Sequence, residues 1–434
     1  MVGREPRRLK VAMVGKKILL RGGSLFAVMY ILILVGFHSH ISTLWDFQQP
    51  FPQEKNRQQL LLDPTNPKVA VHRALDEFIT EGGVLYRPGL HYNCTNENGK
   101  TITLPRLPTF LIIGAQKGGT SALNALLSKH RRIIKPAYFE PHFFDQHPAV
   151  ASAKKRAKIH AEAGKEKLKL PDNMMLTSGI KTYETPPLIC SVREAYASSC
   201  FYKHKVARFP AMLTYEKTPA YILVEGGPLT IKTVAPWAKI IVSLRHPVDR
   251  AFSNFKMQTS RSRHPGILNK TFEDVLAKDL AMLRHHNFHV PDDEPFPKMD
   301  PMELDDKQLN NPRWKYASYL YRSMYADQLR PWLEQYRLGE NLMVVNYERL
   351  NKYPEIVLQE ILEFLQIPDH SYRYKEMVKS YSPNFFRTNQ QASQNLTLRA
   401  ETRDYLTKLF EPYNQDLVDL LGKEWKDIWK ETRY

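Results

Sequence analysis

Cysteine is scarce in this chain: Cys94, Cys190 and Cys200 are the only three in 434 residues. That excludes a small fold whose core is replaced by cross-links. Metal-ligand patterns are missing as well. Among 15 histidines and three cysteines, no H-x-x-x-H or C-x-x-C spacing is supported by a third ligand, and a zinc site needs three or four. No segment repeats another, which excludes solenoids and propellers. Acidic residues are outnumbered by basic ones, 45 to 62, for a net charge of +17. Such a balance favours anionic partners such as nucleotides, acidic polysaccharides, nucleic acid or a membrane surface, although a merely solvated basic surface gives the same count.

What is present is globular. At 43% hydrophobic and 25% charged, the chain buries a core and is long enough for one large domain, or two, with appendages. Residues 22–45 contain no Lys, Arg, Asp or Glu, and their centre, Leu25 to Phe37, is nearly all apolar. Residues 22–41 just reach the roughly 20 residues a spanning helix needs. Trp45 is placed like an interfacial aromatic, and Arg4, Arg7, Arg8, Lys10, Lys16, Lys17 and Arg21 precede the run. The positive-inside rule then keeps 1–21 in the cytosol and sends the rest across. A cleaved signal peptide is the rival reading, but no small-x-small cleavage site follows the run.

Three N-x-[ST] triplets, at Asn93, Asn269 and Asn395, fit a lumenal body. An oxidising lumen lets Cys190 pair with Cys200 and leaves Cys94 over; three free thiols are the alternative. Residues 46–105, with Pro50, Pro52, Pro64 and Pro67, read as a stem, with one short helical stretch near Val69–Ile79. From 106 to 430 the pattern is that of a catalytic domain of α/β type. Buried strands are expected at Phe110–Ile113, Ala211–Tyr215, Lys239–Leu244 and Asn341–Asn346. Helices are expected at Thr120–His130, Val248–Met257, Pro354–Leu365 and about 400–421. Alternation of this kind predicts a central parallel sheet flanked by helices. Residues 146–210, with a basic run from Lys154 to Lys169, resist assignment, and 284–310 read as a long Pro/Asp-rich loop.

Two segments carry chemistry. Phe110-Leu111-Ile112-Ile113-Gly114-Ala115-Gln116-Lys117-Gly118-Gly119-Thr120-Ser121 is a strand, a glycine-bearing turn and a helix start. Helix-start amides carry partial positive charge, and glycines let an anion approach them. Lys117 adds a mobile charge; Thr120 and Ser121 add hydroxyls. In a Walker A loop the lysine follows the second glycine, whereas Lys117 precedes the pair. A tight turn with a solvated lysine is the bland alternative. The second segment runs from Ile240 to Phe255. It places Arg245 at a strand's C-terminal edge, Pro247 at a helix start and Ser253 inside that helix. Arginine's planar fork suits a phosphate there. The alternative is a surface pair of Arg250 with Asp249 or a neighbour.

Together the segments resemble the PAPS-dependent sulfotransferase family (PAPS is 3′-phosphoadenosine 5′-phosphosulfate). The likeness is closest to the Golgi carbohydrate branch that includes the heparan sulfate sulfotransferases. Two further stretches join them: Glu140-Pro141-His142-Phe143-Phe144-Asp145 and Tyr215-Glu216-Lys217-Thr218-Pro219-Ala220-Tyr221. Later, Tyr325 to Trp332 and Val344 to Leu350 also have the family's look. The family's usual Lys-Gly cofactor loop near the C-terminus is not evident; 384–398, with Arg387 and Gln390, occupy its approximate place.

The resemblance implies a P-loop-NTPase-like sulfotransferase fold preceded by one transmembrane helix. It also implies a single-pass type II protein of the Golgi membrane. Lys117, Gly118, Gly119, Thr120 and Ser121 would bind the 5′-phosphosulfate of PAPS, and Arg245 and Ser253 the 3′-phosphate. Glu140 would be the general base, with His142 orienting it or touching the transferring group. Lys117 would neutralise the leaving phosphate, and Lys217 would bring sulfate and acceptor together. The acceptor would be a hydroxyl of a glycan, in particular an anionic polysaccharide, and PAP the product. No metal and no nucleic-acid partner is expected, because lysine and arginine supply the charge. Two other classes compete: a P-loop kinase or NTPase, and a non-catalytic glycan-binding relative.

Overall fold

The computed structural model describes residues 92–104, 107–130, 132–165, 186–201, 212–260, 270–367, 396–426 and 428–429. The expected anchor at 22–45, the helical stretch near 69–79, most of the stem, and Arg387 and Gln390 lie outside these residues. So do Asn269 and Asn395. Among the described residues no helix is long and apolar enough to cross a membrane.

A hairpin comes first: β1 (Tyr92–Thr95) pairs antiparallel with β2 (Thr101–Leu104). Its turn contains Asn98-Gly99, with Gly99 at a positive φ that glycine adopts without a Cβ penalty. The main sheet has five strands, all parallel where they pair: β3 (Phe110–Gly114), β4 (Ile133–Ile134), β5 (Leu213–Lys217), β6 (Lys239–Leu244) and β7 (Leu342–Asn346). The spatial order is β4-β5-β3-β6-β7. The chain leaves β3 for one side of the sheet and later returns past it to the other. β3 is therefore a topological switch point, and the crevice beyond its C-terminal end is where such sheets bind ligands.

Besides two four-residue helical turns at Asp306–Leu309 and Trp314–Ala317, the helices are α1 (Thr120–Leu127), α2 (Phe143–Gln146), α3 (Ala153–Lys165), α4 (Pro187–Cys200), α5 (Gly227–Val234), α6 (Pro247–Ser260), α7 (Phe272–His285), α8 (Tyr325–Leu333), α9 (Tyr347–Lys352), α10 (Pro354–Phe364) and α11 (Ala400–Leu421). Strand side chains alternate, so each apolar run supplies two cores. Phe110 and Ile112 pack with Leu123, Leu126 and Leu127 of α1 and with Val357, Leu358 and Ile361 of α10. Leu111 and Ile113 pack on the opposite face with Tyr196, Ile231 and Trp332. This two-sided burial is why the strands read as unbroken hydrophobic runs. A third cluster joins α6, α7 and α11 through Phe255, Leu276 and Leu409.

Several boundaries differ from expectation, α6 among them, which runs to Ser260 rather than Met257. The strand expected at Ala211–Tyr215 is Leu213–Lys217, which carries Glu216 and Lys217 to its C-terminal edge. The helix expected to run to His130 ends at Leu127. The segment 146–210 contributes α3 and α4.

The cysteine pairing differs as well. Cys94 of β1 is disulfide-bonded to Cys190 of α4, with Cα atoms 5.9 Å apart, and Cys200 is buried and free. Cys190 and Cys200 both lie on α4. Ten residues of helix separate them by about 15 Å, more than twice the reach of a disulfide.

Candidate active site

The turn after β3 is held from behind by β6. The Ala115 amide donates to the Ser243 carbonyl at 2.8 Å, and the Ser243 hydroxyl donates to the Gly118 carbonyl at 2.5 Å. Neither glycine has room for a side chain. A Cβ on Gly118 would lie 2.4 Å from the Ser243 carbonyl oxygen. One on Gly119, whose φ is +103°, would lie 2.3 Å from the Tyr347 ring. Lys117 also adopts a left-handed φ of 68°. Gly119 is the N-cap of α1, and no side chain caps that helix start. Thr120 is buried, whereas Lys117 and Ser121 are half-buried. A turn held this close to β6, opening on an uncapped helix N-terminus, fits a phosphosulfate.

Arg250 ties the turn to the rest of the domain. Its guanidinium is fully buried and donates to the Gln116 carbonyl at 3.3 Å, to the Ser323 hydroxyl at 2.5 Å and to the Tyr319 carbonyl. Burial pushes its pKa down to about 10. It is not the surface partner of Asp249, which instead accepts from Arg403 at 2.7 Å. Arg245 follows β6 directly, half-buried, its guanidinium 5.1 Å from the Tyr347 ring centre. The Tyr325 hydroxyl holds the Arg245 carbonyl at 2.7 Å. Ser253 is half-buried in α6. No hydrogen bond joins it to Arg245.

The structure brings three of the expected residues into one cluster. Lys217, at the end of β5, has a fully buried side chain, and its Nζ donates to Glu140 Oε1 at 2.6 Å. The same ammonium lies 3.5 Å from the centre of the exposed Phe139 ring. His142 Nε2 makes a long contact of 3.5 Å with Glu140 Oε2, and its Nδ1 lies 2.8 Å from Asp145 Oδ2. Sequence reasoning missed Asp145. Its position three residues after His142, at a helix start, is the signal that could have found it. Burial raises the Glu140 pKa, but His142 and Lys217 outweigh it and the net shift is downward. Asp145 first, and Glu140 second, raise His142 to about 10. Burial lowers Lys217, against the pull of Glu140.

A second, fully buried network supports the cluster. Glu216 Oε1 accepts from the Tyr196 hydroxyl at 2.5 Å. Its Oε2 accepts from Thr218 Oγ1 at 3.0 Å and from the Tyr221 hydroxyl at 3.3 Å. The Tyr221 oxygen in turn accepts from the amides of Phe143, at 2.7 Å, and Phe144. The His142 amide points at Thr218 Oγ1, 3.4 Å away. The Glu140–Asp145 segment thus hangs on the end of β5. Burial pushes Glu216 up to about 7. Because Lys217 pairs in register with Ile112 of β3, the cluster and the glycine turn share one edge of the sheet.

Among the described residues no group of three or more His, Cys, Asp and Glu is placed to hold a metal ion. Of the basic run at 154–169, Lys154 and Lys155 are exposed on α3, and Lys158 lies 3.3 Å from Glu97; Lys167 and Lys169 lie outside the described residues.

Residues 107–410 match the family model of the Sulfotransferase domain. The chain is 24% identical over 261 residues to heparan sulfate glucosamine 3-O-sulfotransferase 3B1 of Mus musculus, covering 60% of this chain and 46% of that protein. It is 24% identical over 428 residues to bifunctional heparan sulfate N-deacetylase/N-sulfotransferase 2 of Bos taurus, covering 93% of this chain and 40% of that protein. The chain therefore spans less than half the length of both mammalian relatives. To the membrane-associated sulfotransferase kil1 of Dictyostelium discoideum it is 22% identical, covering 77% and 68% respectively. A solved sulfotransferase from Alicyclobacillus acidocaldarius superposes with a TM-score of 0.43 at 20% identity, covering 74% of this chain and 99% of that one.

Proposed function

This chain belongs to the Sulfotransferase domain family, and from that premise we propose that it transfers a sulfuryl group from PAPS to a hydroxyl of a glycan. The observation that carries the reading is the Lys217–Glu140–His142–Asp145 cluster beside the turn at 114–121, on one edge of the sheet.

The residues divide the work as follows. The turn amides, Lys117, Thr120 and Ser121 hold the 5′-phosphosulfate, and Arg245 and Ser253 take the 3′-phosphate. Glu140 removes the acceptor proton as the acceptor oxygen bonds to sulfur and the bond from sulfur to the 5′-phosphate oxygen breaks. PAP leaves with that oxygen. The displacement is in line, as in phosphoryl transfer, so its charge spreads over peripheral oxygens. At neutral pH Glu140 is an ionised carboxylate between two cations, which makes it a weak base at rest. An acceptor that draws Lys217 away from Glu140 strengthens that base as it binds. Lys217 then faces the sulfuryl group, and Lys117 neutralises the leaving phosphate.

Two observations support a polysaccharide acceptor: the names of the mammalian relatives and the net charge of +17. The Cys94–Cys190 disulfide fits a type II protein of the Golgi membrane, anchored by 22–45, with its catalytic domain in the lumen. Transfer of labelled sulfate from PAPS to a panel of glycans, with labelled ATP as the control donor, tests the reading. Sulfate incorporation without phosphate incorporation is the expected result. Phosphate transfer, or binding of glycan with no transfer at all, would sink it.

A further inference from the structure

Among the described residues Arg322 is a buried cation without a matching anion. It lies in the one-turn segment Tyr321–Ser323 and is 8% exposed. A guanidinium has five N–H groups. Among the described residues Arg322 makes one hydrogen bond, from Nη1 to the Tyr316 carbonyl at 3.0 Å, and no carboxylate lies within ion-pair distance. Burying a charge in this way is costly unless something pairs with it.

Its surroundings say where the missing partner sits. The neighbouring Ser323 hydroxyl accepts from the buried Arg250 guanidinium at 2.5 Å. Tyr316, whose backbone carbonyl accepts from Arg322, donates its own hydroxyl to the Leu223 carbonyl at 3.2 Å, two residues past the Tyr221 that holds the Glu140–Asp145 segment. Around Arg322, Arg250 repels its charge while Tyr316 and then Glu140 attract it. Burial, reinforced by Arg250, pulls its pKa down to about 9. Arg250 already has its partners: Ser323, Tyr319 and the Gln116 carbonyl of the glycine turn. It also feels Asp279. Arg322 therefore sits on a segment tied through Arg250 to the glycine turn and through Tyr316 to the end of β5 from which the Glu140 loop hangs. In a transfer from that turn to an oxygen beside Glu140, the group between them is the one that moves.

We propose that Arg322 binds the oxygens of the transferring sulfuryl group and stabilises the charge they carry during displacement. This rests on the sulfotransferase reading and adds a residue to it. A sulfate on the acceptor offers the same oxyanion chemistry, so the experiment separates the two sources.

The full chain, purified as wild type, R322Q and R322K, is assayed for sulfate transfer and for equilibrium binding of PAP and PAPS. R322Q should lower kcat about 100-fold, the usual loss on removing one donor from a developing oxyanion. R322K should regain only part of it, because lysine lacks the planar fork. PAP affinity should stay within about twofold of wild type, while the preference for PAPS over PAP narrows, since only PAPS carries the sulfuryl group. If R322Q does not fold, R322K decides by the same criteria. Unchanged kcat in R322K, or a loss seen only as a higher acceptor KM, overturns the assignment. A wild-type protein that transfers nothing from PAPS sinks the parent reading, whereas a wild type that transfers and is matched by R322K sinks the role of the arginine alone.

Discussion

Lys217 and Glu140 are 77 residues apart in the chain and meet at 2.6 Å, one at the end of a central strand and the other on the loop hung over it. The contact holds the candidate base ionised and occupied until an acceptor arrives. It also makes the two residues separable by mutation.

Glu140→Gln keeps the shape and removes the base. Transfer should fall by about 10²–10⁴-fold, the span of general base catalysis. PAP affinity, measured by calorimetry, should hardly change. Turnover equal to wild type would remove Glu140 from the mechanism.

His142 should carry a charge across the neutral range. Its folded pKa is raised, to about 10. The stabilisation it contributes is thus complete below its ordinary value near 6.5 and is lost as pH rises through about 10. An NMR titration should show no midpoint for His142 between about pH 5 and 8. Asp145→Asn should bring the midpoint back toward the ordinary value, because the 2.8 Å contact is the first cause of the shift.

Tyr221→Phe removes the oxygen that accepts from the Phe143 and Phe144 amides. Leaving buried donors unmet costs about 1–3 kcal/mol, which urea unfolding will read. The loop carrying Glu140 loses its hanger, so kcat should drop while PAP binding survives. Equal stability and equal kcat would show that the buried network positions nothing.

Gly119→Ala meets two obstacles, a φ of +103° and the Tyr347 ring 2.3 Å from the new carbon. The backbone strain alone costs about 1–3 kcal/mol. PAP affinity should collapse more than stability does. Intact PAP binding in this variant would separate the turn from the nucleotide.

Non-reducing peptide mapping should find Cys94 linked to Cys190, with Cys200 alkylated only after unfolding. The bridge closes a loop of 96 residues, so Cys94→Ser should lose stability by about 2–5 kcal/mol. A Cys190–Cys200 peptide would overturn the pairing.

The parts of the site that are continuous in the chain are legible in the sequence. A strand buried on both faces reads as an apolar run, and a glycine turn leading into a helix reads as an anion cradle. Lys117 to Ser121 and Arg245 stand out at such places, whereas the Glu140–Asp145 segment is marked only by its resemblance to the family. The errors fall where two distant segments meet. The Cys190–Cys200 pairing is reasonable by spacing and fails because both residues lie on α4. The alternative surface pair of Arg250 with Asp249 fails as well, because Arg250 is the buried tie between α6 and the glycine turn.

The choice of Glu140 came from the resemblance of its segment to the sulfotransferase family, whereas residue types and local order determined the α/β class and the glycine turn at a helix start. These depend on periods of two and 3.6 residues and on turn chemistry, which act over a few positions. Only the tertiary structure decided that Lys217 faces Glu140, that Glu216 and Tyr221 carry the loop above them, and that among the described residues no carboxylate stands at ion-pair distance from the buried Arg322. Charges and hydrogen-bond donors are matched through space across tens of residues, and no local pattern in the chain records which of them will meet.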